Sequence, residues 1–278
     1  MILTLLGCMT LDGFFFNPTP IEAYTLVSEV IPESAIEEAS FAGEAGLLYG
    51  WWARATSTSS ERVVVYYHGN SGNLDDTIPL VEGLWQLGFT VFAVDYRGYG
   101  RSEGTPDHDG VIADAVSTAN YVAAELGSTT EALVYYGQSL GAFTSSHAAL
   151  SVPPAGLIME SGFASGELIS DQSASLDLPS GWVLKEGYDN TSSVAALHVP
   201  VMVMHGVQDD YISVSHGDAI YAAANPEKFY WKLEGSDHAE LDLVDPVGWS
   251  DHVSCWVELS HGFPDCRDGL EGSSAAAD

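Results

Sequence analysis

The chain has 278 residues, of which 46% are hydrophobic and 11% aromatic, enough apolar material for a sizeable core. Lysine and arginine number 8 against 39 aspartate and glutamate residues, which gives a formal net charge of −31. Charge of this sign and size repels nucleic acid and anionic membranes, so we expect no nucleic-acid partner. We expect a globular protein whose acidic residues form a well-solvated surface.

The first residues, MILTLLGC, resemble the end of a bacterial lipoprotein signal, with Gly7 before Cys8. No basic residue precedes them, and the apolar run is shorter than a secretory signal requires. A lipoprotein signal and an ordinary N-terminal segment are therefore both kept open. If the signal is genuine, Cys8 carries the lipid and is the protein's one link to a membrane. The bacterial cell envelope is then slightly favoured over the cytoplasm. Residues 1–38 are assigned to an N-terminal segment with a linker.

Seven strand-like runs recur along the rest of the chain, several of them nearly continuous in Val, Ile, Leu, Tyr and Met. Runs of this composition are typical of parallel strands that are covered on both faces. They lie at 46–54, 62–69, 89–96, 132–139, 155–161, 199–206 and 228–235. Segments with helical apolar spacing lie between them, at 77–88, 110–127, 140–150 and 215–224. The alternation predicts a doubly wound, mostly parallel α/β sheet with helices on both faces.

One domain accounts for this pattern, because the chain shows no internal repeat and no interdomain linker. The domain is assigned to residues 39–262, and the small and polar end, 263–278, to a tail. The stretch between the runs at 155–161 and 199–206 is loop-rich and too short for a large independent lid. A minimal lid and an open reaction centre are therefore expected.

The cysteines give a weaker signal. Cys255 and Cys266 lie close in sequence and would form a disulfide in an oxidising compartment, whereas two separate thiols are an equal alternative. No clustered Cys and His spacing is typical of a zinc site, so no metal is expected. No organic cofactor is expected either.

A short glycine-flanked serine motif, GQSLG at 137–141, matches the nucleophile elbow Gly-x-Ser-x-Gly. It lies after a strand-like run and before a helix-like one, as that turn requires. The turn is so tight that a Cβ at Gly137 or Gly141 would collide with the neighbouring strand or helix. Ser139 would project above the sheet, where the N-terminus of the next helix stabilises developing negative charge. The context predicts that Ser139 is a nucleophile.

A serine hydroxyl needs a general base and a third group that orients the base. In the elbow fold these follow in the order serine, acid, histidine. Asp209 and His238 each come just after a downstream strand-like run, at the edge where open α/β sheets collect their sites. They are the predicted acid and base, with Asp210 and Glu160 as alternatives for the acid. Two further histidines at strand ends fall outside the required order, His68 and His205.

The oxyanion requires two amide donors, one from the residue after the nucleophile and one from the loop after an earlier strand. Leu140 is the predicted first donor. In HGNSGN at 68–73, Gly69 lets the chain turn and the amide of Asn70 would point into the site. An ordinary Asn/Gly turn is the alternative for this segment.

A second glycine-rich stretch, VDYRGYGRSEG at 94–104, invites comparison with a phosphate-binding loop. It lacks both the Gly-x-Gly-x-x-Gly spacing and a Walker lysine followed by Ser or Thr. A role in stabilising the loop is therefore expected, with Asp95 and Arg97 as candidates for an internal ion pair.

Taken together, these motifs occur in the order that α/β-hydrolases use, and the chain resembles that family from about residue 40 to 260. The forms HGNSGN and DYRGYGRSEG resemble a small-lid branch that includes bacterial esterase-like proteins, serine aminopeptidase-like hydrolases and depalmitoylating thioesterases. Ala142 stands where the family often has a further glycine. The resemblance implies the α/β-hydrolase fold and its catalytic residues, while the substrate does not follow from the fold.

The leading functional hypothesis is a serine hydrolase that cleaves carboxylic esters of small molecules through an acyl-enzyme. Amide or thioester cleavage by the same residues, as in a serine aminopeptidase or an acyl-protein thioesterase, is the alternative. A noncatalytic binding protein on the same fold is a second alternative. Three aromatic residues are candidates for the acyl or leaving-group pocket, with a place in the core equally open to each: Phe163, Trp182 and Tyr211.

Overall fold

A computed structural model of the chain describes residues 16–56, 62–168, 187–225 and 227–258. Cys8, Trp182 and Cys266 lie outside these ranges, and so do residues 169–186 of the stretch expected to form the minimal lid. Cys255 is described and is disulfide-bonded. Its pairing with Cys266 stays a prediction.

The described residues form ten strands, numbered β1 to β10 in chain order. They are Asn17–Pro18, Ile36–Ala42, Leu47–Ala53, Val63–Tyr67, Ser71–Gly72, Thr90–Asp95, Leu133–Gln138, Gly156–Glu160, Val201–Gly206 and Lys228–Leu233. Eight of them make one sheet in the order β10-β9-β8-β7-β4-β6-β3-β2. Pairing is parallel from β10 to β6 and antiparallel between β6, β3 and β2. The predicted mostly parallel sheet is confirmed, and each of the seven predicted strands is present.

The centre of the sheet is covered on both faces, as its apolar runs predict. Every residue of β4 is buried. Val63, Val65 and Tyr67 belong to one hydrophobic cluster, whereas Val64 and Tyr66 belong to a second. Because successive side chains of a strand point to opposite faces, the two clusters are the two sides of the sheet.

Helices fill both sides. Numbered α1 to α7, the described α-helices are Ile78–Gln86, His108–Glu125, Leu140–Ser151, Asn190–Ala196, Val214–Ala223, Leu241–Val244 and Pro246–Val257. Short 3-10 helices lie at Glu33–Ala35, Leu74–Thr77 and Thr130–Ala132. Helices α2 to α5 contribute to the first cluster, and α1, α6 and α7 contribute to the second. No helix among the described residues is both long enough and apolar enough to span a bilayer.

The chain ahead of the sheet packs on the domain instead of forming a linker. We call residues 17–28 the N-terminal strap. Its strand β1 pairs with β5, and Thr19 N donates to Gly72 O at 3.1 Å. Further along, the Tyr24 hydroxyl donates to Asp95 Oδ2 at 2.6 Å. The boundary predicted at residue 39 falls inside β2, so the sheet begins before it and the assignment of 1–38 to a separate segment is corrected for its described part.

The expected ion pair between Asp95 and Arg97 is wrong. The Arg97 guanidinium binds Asp114 on α2, with Nη2 to Oδ1 at 2.8 Å and Nε to Oδ2 at 3.0 Å. Asp95 ends β6 and accepts the Tyr24 hydroxyl, while His68 Nε2 lies 3.1 Å from its other oxygen. Arg97 still stabilises its own loop, as predicted, because its N–H also donates to Asp114 Oδ2 at 2.8 Å.

Candidate active site

The elbow around Ser139 joins β7 directly to α3. Ser139 has φ 55° and ψ −112°, a conformation that costs an ordinary side chain free energy and persists only where its surroundings enforce it. Its N–H donates to Glu160 O at 2.9 Å, and its carbonyl accepts from Ala142 N at 3.0 Å. These bonds fix the serine between the strand and the helix, with its hydroxyl free to face the open edge of the sheet.

The glycines on either side of Ser139 are required for close approach. A Cβ at Gly141 would overlap the carbonyl of Tyr67 at the end of β4. A Cβ at Gly137 would overlap the carbonyl of Gly141 and the Ser145 hydroxyl on α3. The steric reason inferred from the motif therefore applies at both positions, one against the neighbouring strand and one against the helix.

Ser139, His238 and Asp209 form a continuous hydrogen-bonded series. His238 Nε2 lies 3.1 Å from Ser139 Oγ, and His238 Nδ1 lies 2.8 Å from Asp209 Oδ2. Asp209 follows β9 and His238 follows β10, so three parallel strands present the three side chains at one sheet edge. A carboxylate accepts only, so Nδ1 carries the hydrogen and Nε2 is left to accept from the serine.

Asp209 is buried and heavily hydrogen-bonded. Its Oδ1 accepts Ile212 N at 2.7 Å and Tyr211 N at 3.1 Å, and its Oδ2 faces the imidazoles of His238 and His205. Burial by itself raises the pKa of Asp209, but the hydrogen bonds from His205, His238 and Ile212 outweigh it and hold the pKa well below its ordinary value. The side chain is therefore an anion at any pH at which a histidine titrates.

His205 supports the acid, a role that sequence reasoning missed. It is fully buried, and its Nε2 lies 3.2 Å from Asp209 Oδ2 and 2.7 Å from Ile212 O. Both neighbours accept, so Nε2 carries a hydrogen and shares it between them. The available signal was the spacing HGVQD, which puts a histidine four residues before the acid at the end of the same strand.

Neither alternative for the acid, Asp210 or Glu160, is the carboxylate that faces His238 Nδ1. Asp210 is exposed, and its N–H donates to Asp237 Oδ1 at 3.1 Å. The same Asp237 oxygen accepts His238 N at 2.7 Å. Ala239, with φ 56°, donates its N–H to Ser161 Oγ at 3.1 Å. These bonds fix the turn that carries His238, and they leave Asp209 as the carboxylate at its Nδ1.

The loop at 68–73 passes directly beside Ser139. A Cβ built on Gly69 would lie 3.6 Å from Ser139 Cβ. The Asn70 carbonyl accepts the Tyr99 hydroxyl at 2.9 Å, and Asn17 N of the strap donates to that carbonyl at 3.3 Å. On the other side of the serine, Leu140 is the first residue of α3, so its N–H has no partner within the helix. Leu140 and the 68–73 loop thus lie on either side of Ser139, and the binding of an oxyanion by the amides of Leu140 and Asn70 stays a prediction.

Comparison with known proteins identifies the family of the chain. Residues 62–171 match the family described as alpha/beta hydrolase fold. The uncharacterized protein Rv2307c of Mycobacterium tuberculosis is 31% identical over 198 residues, which cover 71% of this chain and 70% of that protein. The chain belongs to the α/β-hydrolase family.

Other relatives of this α/β-hydrolase agree on the fold. The alpha/beta hydrolase domain-containing protein 17C of Xenopus tropicalis is 27% identical over 210 residues, or 75% of this chain and 66% of that protein. The structure of the Pyrococcus furiosus esterase Pf2001 superimposes with a TM-score of 0.70 over 89% of this chain and 99% of that one. Sequence identity in that pair is 19%, so the likeness is one of fold.

A buried carboxyl group lies under the elbow of this α/β-hydrolase. Glu160 is fully buried at the end of β8, where its Oε2 accepts the Tyr136 hydroxyl at 2.6 Å and Gln138 Nε2 at 3.3 Å. Burial raises the pKa of Glu160 to about 7, against the hydrogen bonds from Tyr136 and Gln138, with Asp242 adding to the rise and His238 opposing it. Glu160 is therefore largely neutral in mildly acidic solution.

Replacing Glu160 with glutamine is expected to change how stability depends on pH. The folded pKa of about 7 lies above the usual 4.5, so Glu160 stabilises the fold fully below pH 4.5 and loses that contribution as pH rises through 7. Over that window the native protein should lose about 3 kcal/mol relative to Glu160→Gln. Urea unfolding of both proteins at pH 4.5 and pH 8 measures the difference. An equal gap at both pH values would show that Glu160 titrates normally.

The Ser139 hydroxyl opens into a cleft of about 490 Å³. Among the described residues, every side chain that lines the cleft is polar except those of Gly69 and Ala239. Tyr211 lines it, is 49% exposed, and lies with its ring centre 5.0 Å from that of His238. Phe163 does not line it and is buried, with its ring against Phe143 and Tyr188. Of the three aromatic candidates, Tyr211 therefore lies at the site, Phe163 lies in the core, and Trp182 is not described.

Proposed function

We propose that the protein is a serine hydrolase that cleaves carboxylic esters of small molecules through an acyl-enzyme. The observation that carries the proposal is the unbroken series from Ser139 Oγ to His238 at 3.1 Å and from His238 to Asp209 at 2.8 Å, beside an open cleft. A series of this kind is the arrangement that activates a serine hydroxyl. The Pyrococcus protein of similar fold carries the name esterase, which favours an ester over an amide.

In the first half of the reaction, Ser139 Oγ attacks the ester carbonyl while His238 Nε2 takes the hydroxyl proton. The imidazolium that forms is stabilised by Asp209, which remains ionised. As the tetrahedral intermediate collapses, the bond to the alcohol breaks and His238 returns the proton to the leaving oxygen. The products of this half are a free alcohol and an acyl group on Ser139.

In the second half, water replaces the alcohol. His238 takes a proton from the water, the resulting hydroxide attacks the acyl carbon, and the proton returns to Ser139 Oγ as the acid leaves. In both halves the negative oxygen is bound by the N–H groups of Leu140 and Asn70. Fixed donors of this kind stabilise charge that develops only in the transition state.

Thioester or amide cleavage would use the same residues, and these are the alternative outcomes of a substrate panel. Matched acetyl derivatives with an alcohol, a thiol and an amine leaving group should be compared with an aminoacyl anilide. The oxygen ester should give the highest kcat/KM. A dominant anilide rate would assign the protein to the peptidases, and a dominant thioester rate would assign it to the deacylases.

A fluorophosphonate probe tests the nucleophile directly. The native protein should be labelled with one probe per chain, and peptide mapping should place the label on Ser139. Heat-denatured protein should not react, because activation depends on the folded contacts to His238. A folded protein that stays unlabelled, or a label on another residue, would refute the proposed function and would favour a noncatalytic binding protein.

A further inference from the structure

The chemistry of the cleft beside Ser139 points to a class of substrate. Ligand pockets are ordinarily lined mainly by apolar and aromatic side chains, with a few placed polar groups. The described lining of this cleft differs in residue type: Asn17, Ser71, Asn73, Asp76 and Thr77 line it together with the reacting residues, and Ala239 is the one aliphatic side chain among the described lining residues. Such a wall offers hydrogen bonds to a ligand, and its apolar surface comes from Ala239, two tyrosine rings and the carbon atoms of polar side chains.

Among the described residues, the wall carries the negative charge of Asp76. Asp76 lines the cleft and is exposed, and its Oδ2 accepts Asn73 N at 3.0 Å. That bond uses one carboxylate oxygen, and the exposed remainder of the group faces solvent. No lysine or arginine of the described chain lines the cleft.

All six described basic side chains lie outside the cleft, and the partners of five of them are as follows. Arg54 pairs with Glu37 at 3.0 Å, and Arg97 pairs with Asp114 at 2.8 Å. Arg101 pairs with Glu38, Lys232 pairs with Asp218, and Lys228 donates to backbone carbonyls at the C-terminal end of α5. The whole chain has 8 basic residues against 39 acidic ones, so the field around the cleft is negative as well.

We infer that the cleft takes short-chain esters of uncharged polar alcohols, such as polyols or sugars, and discriminates against esters that carry a phosphate or another anionic group. This inference rests on the proposed function and names its substrate class. An anionic group brought beside Asp76 meets a like charge and loses water without gaining a cationic partner. A long acyl chain gains little, because each buried methylene contributes about 0.8 kcal/mol only where apolar surface covers it.

Three glycerol esters test the inference with the full chain. They are 1-acetylglycerol, the same ester with a phosphate on the third carbon, and 1-octanoylglycerol, each followed by titration of the released acid at about 0.01 M ionic strength. The acetylglycerol kcat/KM should exceed that of its phosphate at least tenfold, and the ratio should shrink as salt is added. The octanoyl ester should stay within about tenfold of the acetyl ester, whereas an apolar tunnel over six methylenes would favour it by about a thousandfold or more.

Two matched variants locate the effect. Asp76→Asn removes the charge and keeps an oxygen for Asn73 N, so the ratio of acetylglycerol to its phosphate should fall by about twofold or more. Asp251→Asn makes the same change on exposed α7, outside the cleft, and should leave the ratio unchanged. A ratio that is insensitive to Asp76→Asn, or equally sensitive to Asp251→Asn, would overturn the inference.

The remaining outcomes separate this inference from the proposed function. If Ser139 reacts with the fluorophosphonate and the phosphorylated or octanoyl ester is preferred, the substrate class is wrong and the serine hydrolase stands. If Ser139 reacts and none of the glycerol esters is cleaved, the substrate class is again wrong. If Ser139 does not react with the probe, both proposals fail together.

Discussion

Replacing Ser139 with alanine is expected to lower kcat for an activated ester such as phenyl acetate by about a millionfold, the loss measured when a triad nucleophile is removed from a serine protease. The substitution removes the hydroxyl that lies 3.1 Å from His238 Nε2. The oxyanion donors stay, so slow hydrolysis by water should survive above the uncatalysed rate. Initial rates at substrate concentrations above KM measure the effect.

The matched control is Ser145→Ala in the same helix. Ser145 is buried in α3 and its hydroxyl bonds only to a backbone carbonyl, Ala142 O at 3.3 Å, among its described contacts. This variant should keep its kcat within about tenfold of the native value, because a lost hydrogen bond of this kind costs about 1 kcal/mol of stability. Activity of Ser139→Ala within a hundredfold of native would remove Ser139 from the nucleophile's role.

The second large effect is expected from Asp209→Asn, which should lower kcat by about ten-thousandfold with the fold retained. The orientation of the new amide is dictated by the structure. Ile212 N and Tyr211 N both donate to Oδ1, so the amide oxygen must stay at that position. The amide nitrogen then replaces Oδ2 and presents hydrogens to both imidazoles, so His238 Nδ1 has to accept, whereas His205 Nε2 keeps its hydrogen for Ile212 O.

The consequence for His238 is the wrong tautomer. With Nδ1 accepting from the amide, the hydrogen moves to Nε2 and points at Ser139, so the base is blocked. Nitrogen NMR of the ring should report this change at Nδ1 and Nε2. His205 loses its shared hydrogen bond at the same time, so a modest loss of thermal stability should accompany the kinetic effect.

Asp210→Asn is the control for this substitution, since Asp210 is the exposed neighbour whose side chain lies outside the triad. It should leave kcat within a few fold of native. A larger loss for Asp210→Asn than for Asp209→Asn would reassign the acid. A full rate for Asp209→Asn would show that His238 needs no orienting carboxylate.

The sequence predicted the central sheet well because its strands are buried on both faces. Nearly continuous apolar runs such as Val63–Tyr67 are typical of strands that are covered on both faces. Strand β2, Ile36–Ala42, escaped prediction because it lies at the edge of the sheet, where its glutamates face solvent and no apolar run is required. Strand β2 forms through its antiparallel pairing with β3, and a local sequence pattern contains no information about that partner.

The site was predictable as far as its motifs had a fixed order along the chain. Ser139, Asp209 and His238 follow from the elbow and from the ends of later strands. Partners chosen in three dimensions did not follow: Arg97 selects Asp114 on a helix, and His205 was passed over as a candidate base. Residue type alone did not decide between pocket and core for Phe163, because an aromatic ring is common in both.

The N-terminal strap has a mechanical consequence. Asn17 and Thr19 bond to the carbonyls of Asn70 and Gly72, and Leu26 N bonds to Asp75 Oδ1 at 2.9 Å. These hydrogen bonds join the amino-terminal end of the described chain directly to the loop at 68–73 beside Ser139. A force applied to the chain ahead of residue 16 would act on these hydrogen bonds before it acted on the central sheet. A partner bound to that end would therefore also hold, or displace, one wall of the cleft beside Ser139.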